Sequence, residues 1–267
     1  MPTDSTPLTD HNPTAMSKLL IYDADCPLCR AYTKGLVVAG ALPAEDRMSS
    51  HAITDRALVD RLDAQRRRHE IPLIDTQTGE THYGVDAILT VTERTWPRLT
   101  RFVRDTLLFE LGRQFYAFVS YNRRLLFPTP PDRPHIMDLT PDFNAAYRLV
   151  FLVVLYGLIL LGHYASVGQF DPAAMGTLLG QWLLTSLYIV RHTTENRLAN
   201  VLDYAGHLGM SIAVGAVFNA AGVALNAPAL LLLGGALMIW QHGIRLRVMQ
   251  LPNYLNLPFI GFVLLNQ

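Results

Sequence analysis

The sequence contains little cysteine and, in its second half, little charge. Its 267 residues include only two cysteines, Cys26 and Cys29, three positions apart. A secreted scaffold held together by disulfides needs more cysteines, spread along the chain. A structural zinc site usually takes four ligands, often from two Cys pairs, and this chain has only one pair. Neither class of protein fits the sequence.

Charged residues make up 16% of the chain, against about 25% in an ordinary soluble domain. They are unevenly distributed, since 36 of the first 146 residues are charged but only 8 of the last 121. The first part is typical of a soluble domain and the second of a membrane domain, which excludes a single soluble globule. Neither part is strongly basic, so we expect no nucleic-acid partner.

The second part has long stretches without a charged residue at 149–170, 172–190 and 204–244, and its tail at 248–267 has none either. A membrane-spanning helix needs about 20 residues, because each residue advances about 1.5 Å through a core of about 30 Å. The longest stretch holds two helices, divided at Asn226-Ala227-Pro228. We therefore predict four spanning helices in a lipid bilayer, near 148–166, 173–191, 199–225 and 228–245. The tail from Val248 onward is predicted to be re-entrant or interfacial.

The arginines of the second part predict its orientation. Arg123, Arg124, Arg133 and Arg148 lie before or at the start of the first predicted span. Arg191 and Arg197 lie between the second and third spans, and Arg245 and Arg247 follow at the end of the fourth. The other two connections have no basic residue. Because basic connections stay on the cytoplasmic side, we expect a multi-pass protein of the inner or plasma membrane with its amino-terminal domain in the cytoplasm.

The cysteines stand at a predicted junction between a strand and a helix. An apolar run at 19–22 is suited to a buried strand, and Pro27 fits the first turn of the following helix. Cys26 then lies at the helix amino terminus, where free N–H groups stabilise a thiolate. We predict that Cys26 is the attacking sulfur and that Cys29 resolves the mixed disulfide. Asp23 either opposes the thiolate or relays protons to and from Cys29.

The rest of the first part resembles the second half of a thioredoxin-like fold. Ile71-Pro72 leads into a predicted strand that ends at Asp75, a turn and a second strand follow, and a helix begins at Gly84. An X-Pro bond before a strand, then a hairpin, a glycine and a helix is the order of elements in that fold.

The chain is similar to the DCC family of predicted thiol–disulfide oxidoreductases over residues 17–128. The matching elements are Asp23-Ala24-Asp25-Cys26-Pro27-Leu28-Cys29, in which Ala24 replaces the usual glycine, then Gly84-Val85-Asp86-Ala87, and then Tyr116 with Asn122-Arg123. The resemblance implies an α/β thioredoxin-like domain that exchanges thiols and disulfides with a protein or small-molecule substrate and uses no cofactor. It also implies that Pro72 is a cis-proline facing the disulfide.

The expected domains follow from these patterns. They are a disordered tail at 1–17 without a signal peptide, the thioredoxin-like domain at 18–128, a linker at 129–146, and an all-α transmembrane domain at 147–267. The segment 99–127, rich in aromatics and arginine, suits helices that lie against the sheet or against the membrane surface.

Polar residues in or near the predicted spans suggest other functions. His192, Asp203, His207 and His242 lie near the cytoplasmic ends of their helices, where the three histidines converge in one interpretation and bind a metal, a haem or a quinone. In the other, the histidines lie at headgroup level and Asp203 pairs with a neighbouring arginine, Arg197 or Arg191.

The alternatives to an oxidoreductase are therefore threefold. The Cys pair holds a soft ion such as Cu(I), or it exchanges electrons with a quinone or haem in the membrane domain. In the third alternative the first domain is a docking module without catalysis.

Overall fold

The first part of the protein contains a four-stranded mixed sheet. The computed structural model describes residues 18–129, 136–169 and 172–265, so the predicted tail at 1–17 lies outside the described residues. The strands are β1 (Lys18–Tyr22), β2 (Arg47–Ser49), β3 (Pro72–Asp75) and β4 (Thr81–Tyr83). Their order is β2-β1-β3-β4; β1 runs parallel to β2 and antiparallel to β3, and β3 runs antiparallel to β4.

Six helices accompany the sheet: α1 (Pro27–Val38), α2 (Arg56–Asp60), α3 (Arg66–His69), α4 (Gly84–Thr92), α5 (Pro97–Arg104) and α6 (Leu107–Leu126). Successive residues of β1 point to opposite faces of the sheet. Leu19 and Ile21 therefore pack in one core with residues of α2, and Leu20 packs in a second core with residues of α4. Burial of each such side chain contributes about 1.5–3 kcal/mol to stability.

The second part is helical, with α7 (Ala145–Val167), α8 (Pro172–His192), α9 (Arg197–Ala224) and α10 (Pro228–Val248). All four predicted helices are present. Among the residues that the structure describes, three helices are long and apolar enough to cross a membrane, namely α7 over Ala145–Ser166, α9 and α10. The prediction of four spans is thus supported for three of them, and α8 carries the buried polar residues Gln181, Thr185 and Ser186.

The break between α9 and α10 falls where the sequence predicts it. Asn226 has a left-handed backbone with φ 49°, and Pro228 occupies the first turn of α10. The two helices then pack so closely that a Cβ on Gly234 would lie 2.8 Å from the backbone oxygen of Gly215 and would collide with Asn219. Glycine is required there because no side chain fits between the two backbones.

The carboxyl-terminal tail folds back onto these helices. A 3-10 turn at Asn253–Asn256 leads into α11 (Leu257–Leu265), whose nine residues are too few to cross a bilayer. Phe259 and Phe262 are buried in the core of the helical part. A short segment without a span agrees with the prediction, whereas its re-entrant or interfacial position stays a prediction.

Helix α6 contacts both parts of the protein through opposite faces. Tyr116 packs in the core under the sheet, and Arg123 reaches the loop after β1. Phe118 and Leu125, on the other face, pack against Phe151 of α7. One helix thus joins the sheet to the membrane helices. Part of the predicted linker also joins the sheet, since Met137 and Leu139 are buried in the core on the α2 side.

Candidate functional site

The two cysteines begin α1. Cys26 is the N-cap residue, with extended backbone angles, and Pro27 follows at the first helical position, where its missing N–H is not needed. The backbone N–H of Cys29 donates a hydrogen bond to Cys26 Sγ at 3.2 Å. The cap is therefore made by a sulfur atom, which accepts that bond best as a thiolate.

The two thiols have different acidities. The hydrogen bond from the Cys29 side chain lowers the pKa of Cys26 from 9.0 to about 7; burial opposes this shift, and Arg123 together with the Cys29 N–H favours it. The same hydrogen bond, with burial, raises the pKa of Cys29 far above its usual range. At neutral pH Cys26 is thus the more acidic of the two thiols and is partly in the thiolate form, whereas Cys29 is protonated.

Asp23 lies beside both sulfur atoms. A carboxylate oxygen of Asp23 and the two Sγ atoms all lie within 4.8 Å of one another. Arg123 Nη2 forms a salt bridge with Asp23 Oδ2 at 2.9 Å, and both side chains are largely buried. The guanidinium also donates to the Leu139 carbonyl. Its positive charge offsets the carboxylate, which would otherwise destabilise a thiolate at Cys26.

Arg123 is a residue of this site that the sequence pattern does not reveal. The pattern places it in the closing Asn122-Arg123 element and among the basic residues before the first predicted span, but not beside the cysteines. The available signal was the position of a basic residue on a helix predicted to pack against the sheet, but the partner stands 100 positions earlier in the chain.

The loop between β1 and α1 is held by residues that follow β2. Ser50 Oγ accepts a hydrogen bond from the Ala24 N–H at 3.2 Å, and Asp25 pairs with His51 at 3.0 Å. The backbone of Ala24 is therefore anchored to the residue that follows β2. A small cavity opens beside the sulfur of Cys26, lined by Asp23, Asp25, Cys26, Pro27, Arg123, Arg124, Phe127 and Thr129.

Two tyrosines lie behind Cys29 in the core. Burial raises the pKa of Tyr116 to about 12 and raises the pKa of Tyr32 well above 10, so both are neutral. The Tyr116 hydroxyl accepts a hydrogen bond from the Ile71 N–H at 2.9 Å. This contact ties α6 to the start of β3.

Pro72 opens β3 opposite Tyr83. The expectation of a cis-proline there is wrong, because the described residues contain no cis peptide bond and Ile71–Pro72 is trans. The expectation of a cis bond rests on the family resemblance alone, and an X–Pro bond is ordinarily trans.

The Gly84-to-Ala87 element has a structural role. Gly84 has φ +58°, and a Cβ there would lie 3.1 Å from Glu70 Oε2. Asp86 accepts a hydrogen bond from His82 at 2.6 Å and pairs with Arg104. Although burial raises the pKa of Asp86, its bonds with His82 and Arg104 lower it overall. The element fixes β4, α4 and α5 together.

The three histidines of the membrane part form no metal-ligand group among the residues that the structure describes. His192 is exposed and stacks on Tyr188 at 4.0 Å between ring centroids. His242 is buried between Tyr204, at 3.1 Å, and Asn256, at 2.6 Å. Over the described ranges, the one group of three metal-ligand residues is Asp23, Cys26 and Cys29. The interpretation in which the three histidines bind a metal ion is therefore not supported among the described residues, because helix-end positions specify depth but not which way each ring points.

His207 contacts a cation. Arg245 Nη1 lies 3.1 Å from His207 Nδ1 and donates to the Leu125 carbonyl at 2.6 Å. His207 Nδ1 accepts this bond, since a guanidinium only donates. A positive charge at that nitrogen opposes the binding of a metal ion.

Asp203 pairs with neither Arg197 nor Arg191 but with Arg148, whose Nε lies 3.0 Å from Asp203 Oδ1. Arg148 Nη1 also donates to Asn122 Oδ1 at 2.9 Å. The acid thus belongs to a link between α9, α7 and α6. This link ends at Asn122, which is next to Arg123 in the sequence.

Comparisons of the chain with protein-family models, with curated proteins and with solved structures found no match.

Proposed function

We propose that the protein is a membrane-anchored thiol–disulfide oxidoreductase of the DCC type. The observation that carries the proposal is the pair of buried cysteines at the start of α1, of which Cys26 has a pKa near 7 and Cys29 does not. This asymmetry is what sequential attack and resolution require, because the attacking sulfur should be a thiolate near ambient pH.

The proposed fold is thioredoxin-like. The order β2-β1-β3-β4, the single parallel pair β1/β2 and a helix after β4 support it. A Cys-x-x-Cys segment at the start of the helix after β1 is where that fold carries its redox pair.

The reaction proceeds in two displacements. The Cys26 thiolate attacks one sulfur of a substrate disulfide, forming a mixed disulfide and releasing the first substrate thiolate. Cys29 then loses its proton to Asp23, the nearest carboxylate, and attacks Cys26 Sγ. The second substrate thiolate leaves, the pair ends as a Cys26–Cys29 disulfide, and the substrate has gained two electrons. The reverse sequence oxidises a substrate dithiol.

Arg123 holds Asp23 in place and balances its charge during these steps. Because the guanidinium lies against the carboxylate, negative charge on Asp23 and on Cys26 can coexist in a buried site. The proposal therefore assigns Arg123 an electrostatic role.

The proposed orientation places the sheet domain in the cytoplasm. The amino-terminal end of α7, the amino-terminal end of α9 and the carboxyl-terminal end of α10 lie together, as the Arg148–Asp203 and Arg245–His207 contacts require. The basic residues of the helical part are thus gathered near one end, beside the sheet domain, as the positive-inside rule expects for a cytoplasmic face.

A soft-metal site is the second candidate. Two sulfurs and a carboxylate oxygen within 4.8 Å of one another form a donor set that a soft ion such as Cu(I) can use. Arg123 argues against it, since a guanidinium 2.9 Å from Asp23 competes with a cation for that oxygen. Elemental analysis of anaerobically purified protein tests it, and a stoichiometric metal lost in Cys26→Ser would favour this candidate.

Single cysteine variants of the full chain test the oxidoreductase. With a small aromatic disulfide as the probe, we expect Cys26→Ser to abolish disulfide exchange. Cys29→Ser should instead accumulate a mixed disulfide on Cys26, detected as an added mass on the intact protein. Full exchange activity in both variants would show that the pair is not the redox centre.

A further inference from the structure

The first half of α6 has an apolar face that the protein leaves uncovered. Leu107, Leu111 and Phe115 follow one another at intervals of four residues, so they lie on one side of the helix. Their side chains are 82%, 63% and 68% exposed. Aliphatic and aromatic side chains at such exposure, in a continuous row, mark a surface for apolar contact.

This row continues into the contact with the membrane helices. Phe118 and Leu125 extend the same side of α6. The ring centroids of Phe118 and Phe151 lie 6.0 Å apart, and Leu125 packs on Leu155. The carboxyl-terminal half of the row is thus covered by α7, a helix able to span a membrane. The amino-terminal half of the same row extends beyond it.

The opposite side of α6 faces the sheet domain. A Cβ placed on Gly112 would lie 3.8 Å from Val85 Cγ1. Ser120 donates a hydrogen bond to the His69 carbonyl. The uncovered row therefore points away from the sheet domain, on the side where the membrane helices are. Val153 on α7 is 74% exposed, as expected of a helix face that meets lipid.

Helix α5, which packs next to α6, also exposes apolar side chains. Leu99 and Phe102 are three residues apart on α5 and both are exposed, and Trp96 precedes the helix. Arg98 and Arg101 are exposed beside them, and neither has an ion-pair partner within the part of the chain that the structure describes. Apolar side chains edged by arginine, with a tryptophan, are the composition of a helix that lies in the headgroup region.

We propose that α5 and the first half of α6 lie in the surface of the bilayer that the membrane helices cross. The surface consists of Trp96, Leu99, Phe102, Leu107, Leu111 and Phe115. These side chains enter the boundary between headgroups and acyl chains, and Arg98 and Arg101 contact anionic headgroups. The bilayer is favoured as the occupant because the row is continuous with the contact that α6 makes with a membrane helix.

Fluorescence quenching in nanodiscs tests this surface. A polarity-sensitive fluorophore is attached to the full chain carrying Leu111→Cys or Phe115→Cys in a Cys26→Ser/Cys29→Ser background. Ala57→Cys, at an exposed position of α2 on the other face of the sheet, is the matched control. We expect lipids with a nitroxide near the headgroup to quench the labels at 111 and 115 several-fold more than the label at 57, and aqueous iodide to do the reverse.

Two results would overturn the proposal. Quenching of the labels at 111 and 115 by iodide as strongly as the label at 57 would show that the surface faces water. Protection from both quenchers, in particles whose mass corresponds to two chains, would show that a second copy covers it.

The arginines are tested by lipid composition. In nanodiscs with phosphatidylserine, we expect more nitroxide quenching at 111 than in phosphatidylcholine alone, and the difference should disappear in Arg98→Gln/Arg101→Gln. An equal signal in both compositions for the unsubstituted arginines would overturn their contact with anionic headgroups.

Discussion

Arg123 Nη2 lies 2.9 Å from Asp23 Oδ2, although the two residues stand 100 positions apart in the chain. The contact brings a buried guanidinium to the carboxylate beside both cysteines. It lets Asp23 remain charged without raising the pKa of Cys26 as much as an isolated carboxylate would. The acidity of the thiol is therefore set by helix α6 as well as by the Cys-x-x-Cys segment.

The first prediction concerns pH. Because the pKa of Cys26 is lowered from 9.0 to about 7, alkylation of reduced protein by iodoacetamide should reach half its maximal rate near pH 7. The sign for stability follows from linkage. The thiolate of Cys26 stabilises the reduced fold at pH above 9, and this contribution is lost as the pH falls through 7.

Two variants at position 29 sharpen this test. Cys29→Ala removes the side-chain donor that lowers the pKa of Cys26 most, so the alkylation profile should move to higher pH. Cys29→Ser keeps a hydroxyl donor and should move it less. Identical profiles for the two variants would show that the hydrogen bond from residue 29 does not control the thiol.

The second prediction isolates the charge of Arg123. We expect Arg123→Gln to raise the pKa of Cys26, by about one unit for the loss of a nearby opposite charge, and to slow disulfide exchange at pH 7. Arg124→Gln is the matched control, because Arg124 lines the same cavity but is not among the groups that contribute most to the pKa of Cys26. The measurement is the pH profile of alkylation, and an equal shift in both variants would contradict the assigned role.

The third prediction concerns the packing of α9 on α10. Gly234→Ala places a methyl group against Asn219 and the Gly215 backbone, so we expect a loss of about 1–3 kcal/mol from overpacking. Gly176→Ala is the control, since a Cβ there meets no atom within 4 Å, and it should be neutral or gain up to about 1 kcal/mol. Heating in detergent followed by size-exclusion chromatography measures both, and matching melting temperatures would contradict the close approach.

Local pattern predicted much of the fold. The strand before the cysteines, the helix that Pro27 begins and the hairpin after Pro72 follow from apolar runs and from the fixed conformations of proline and glycine. Strand β2 is difficult to predict from the sequence because it is a half-exposed edge strand with the sequence Arg47-Met48-Ser49. Its sequence carries no apolar run by which it could be recognised.

Contacts between distant elements could not be predicted in the same way. The depth of His192, His207 and His242 in the membrane part follows from charge patterning, but the rotation of each helix about its axis does not. The helices turn His192 outward and bring His207 against Arg245. Asp203 likewise forms its salt bridge with Arg148 rather than with the arginines nearer in sequence.

The two opposite faces of α6 have a consequence for substrates. A helix that packs in both cores resists bending, because bending it would expose Tyr116 on one side or Leu125 on the other. Arg123 of the same helix binds Asp23 beside the cysteines, so the position of the Cys pair is tied to that of the membrane helices. If the protein acts as proposed, we expect substrate disulfides close to the membrane to reach Cys26 more readily than disulfides far from the bilayer.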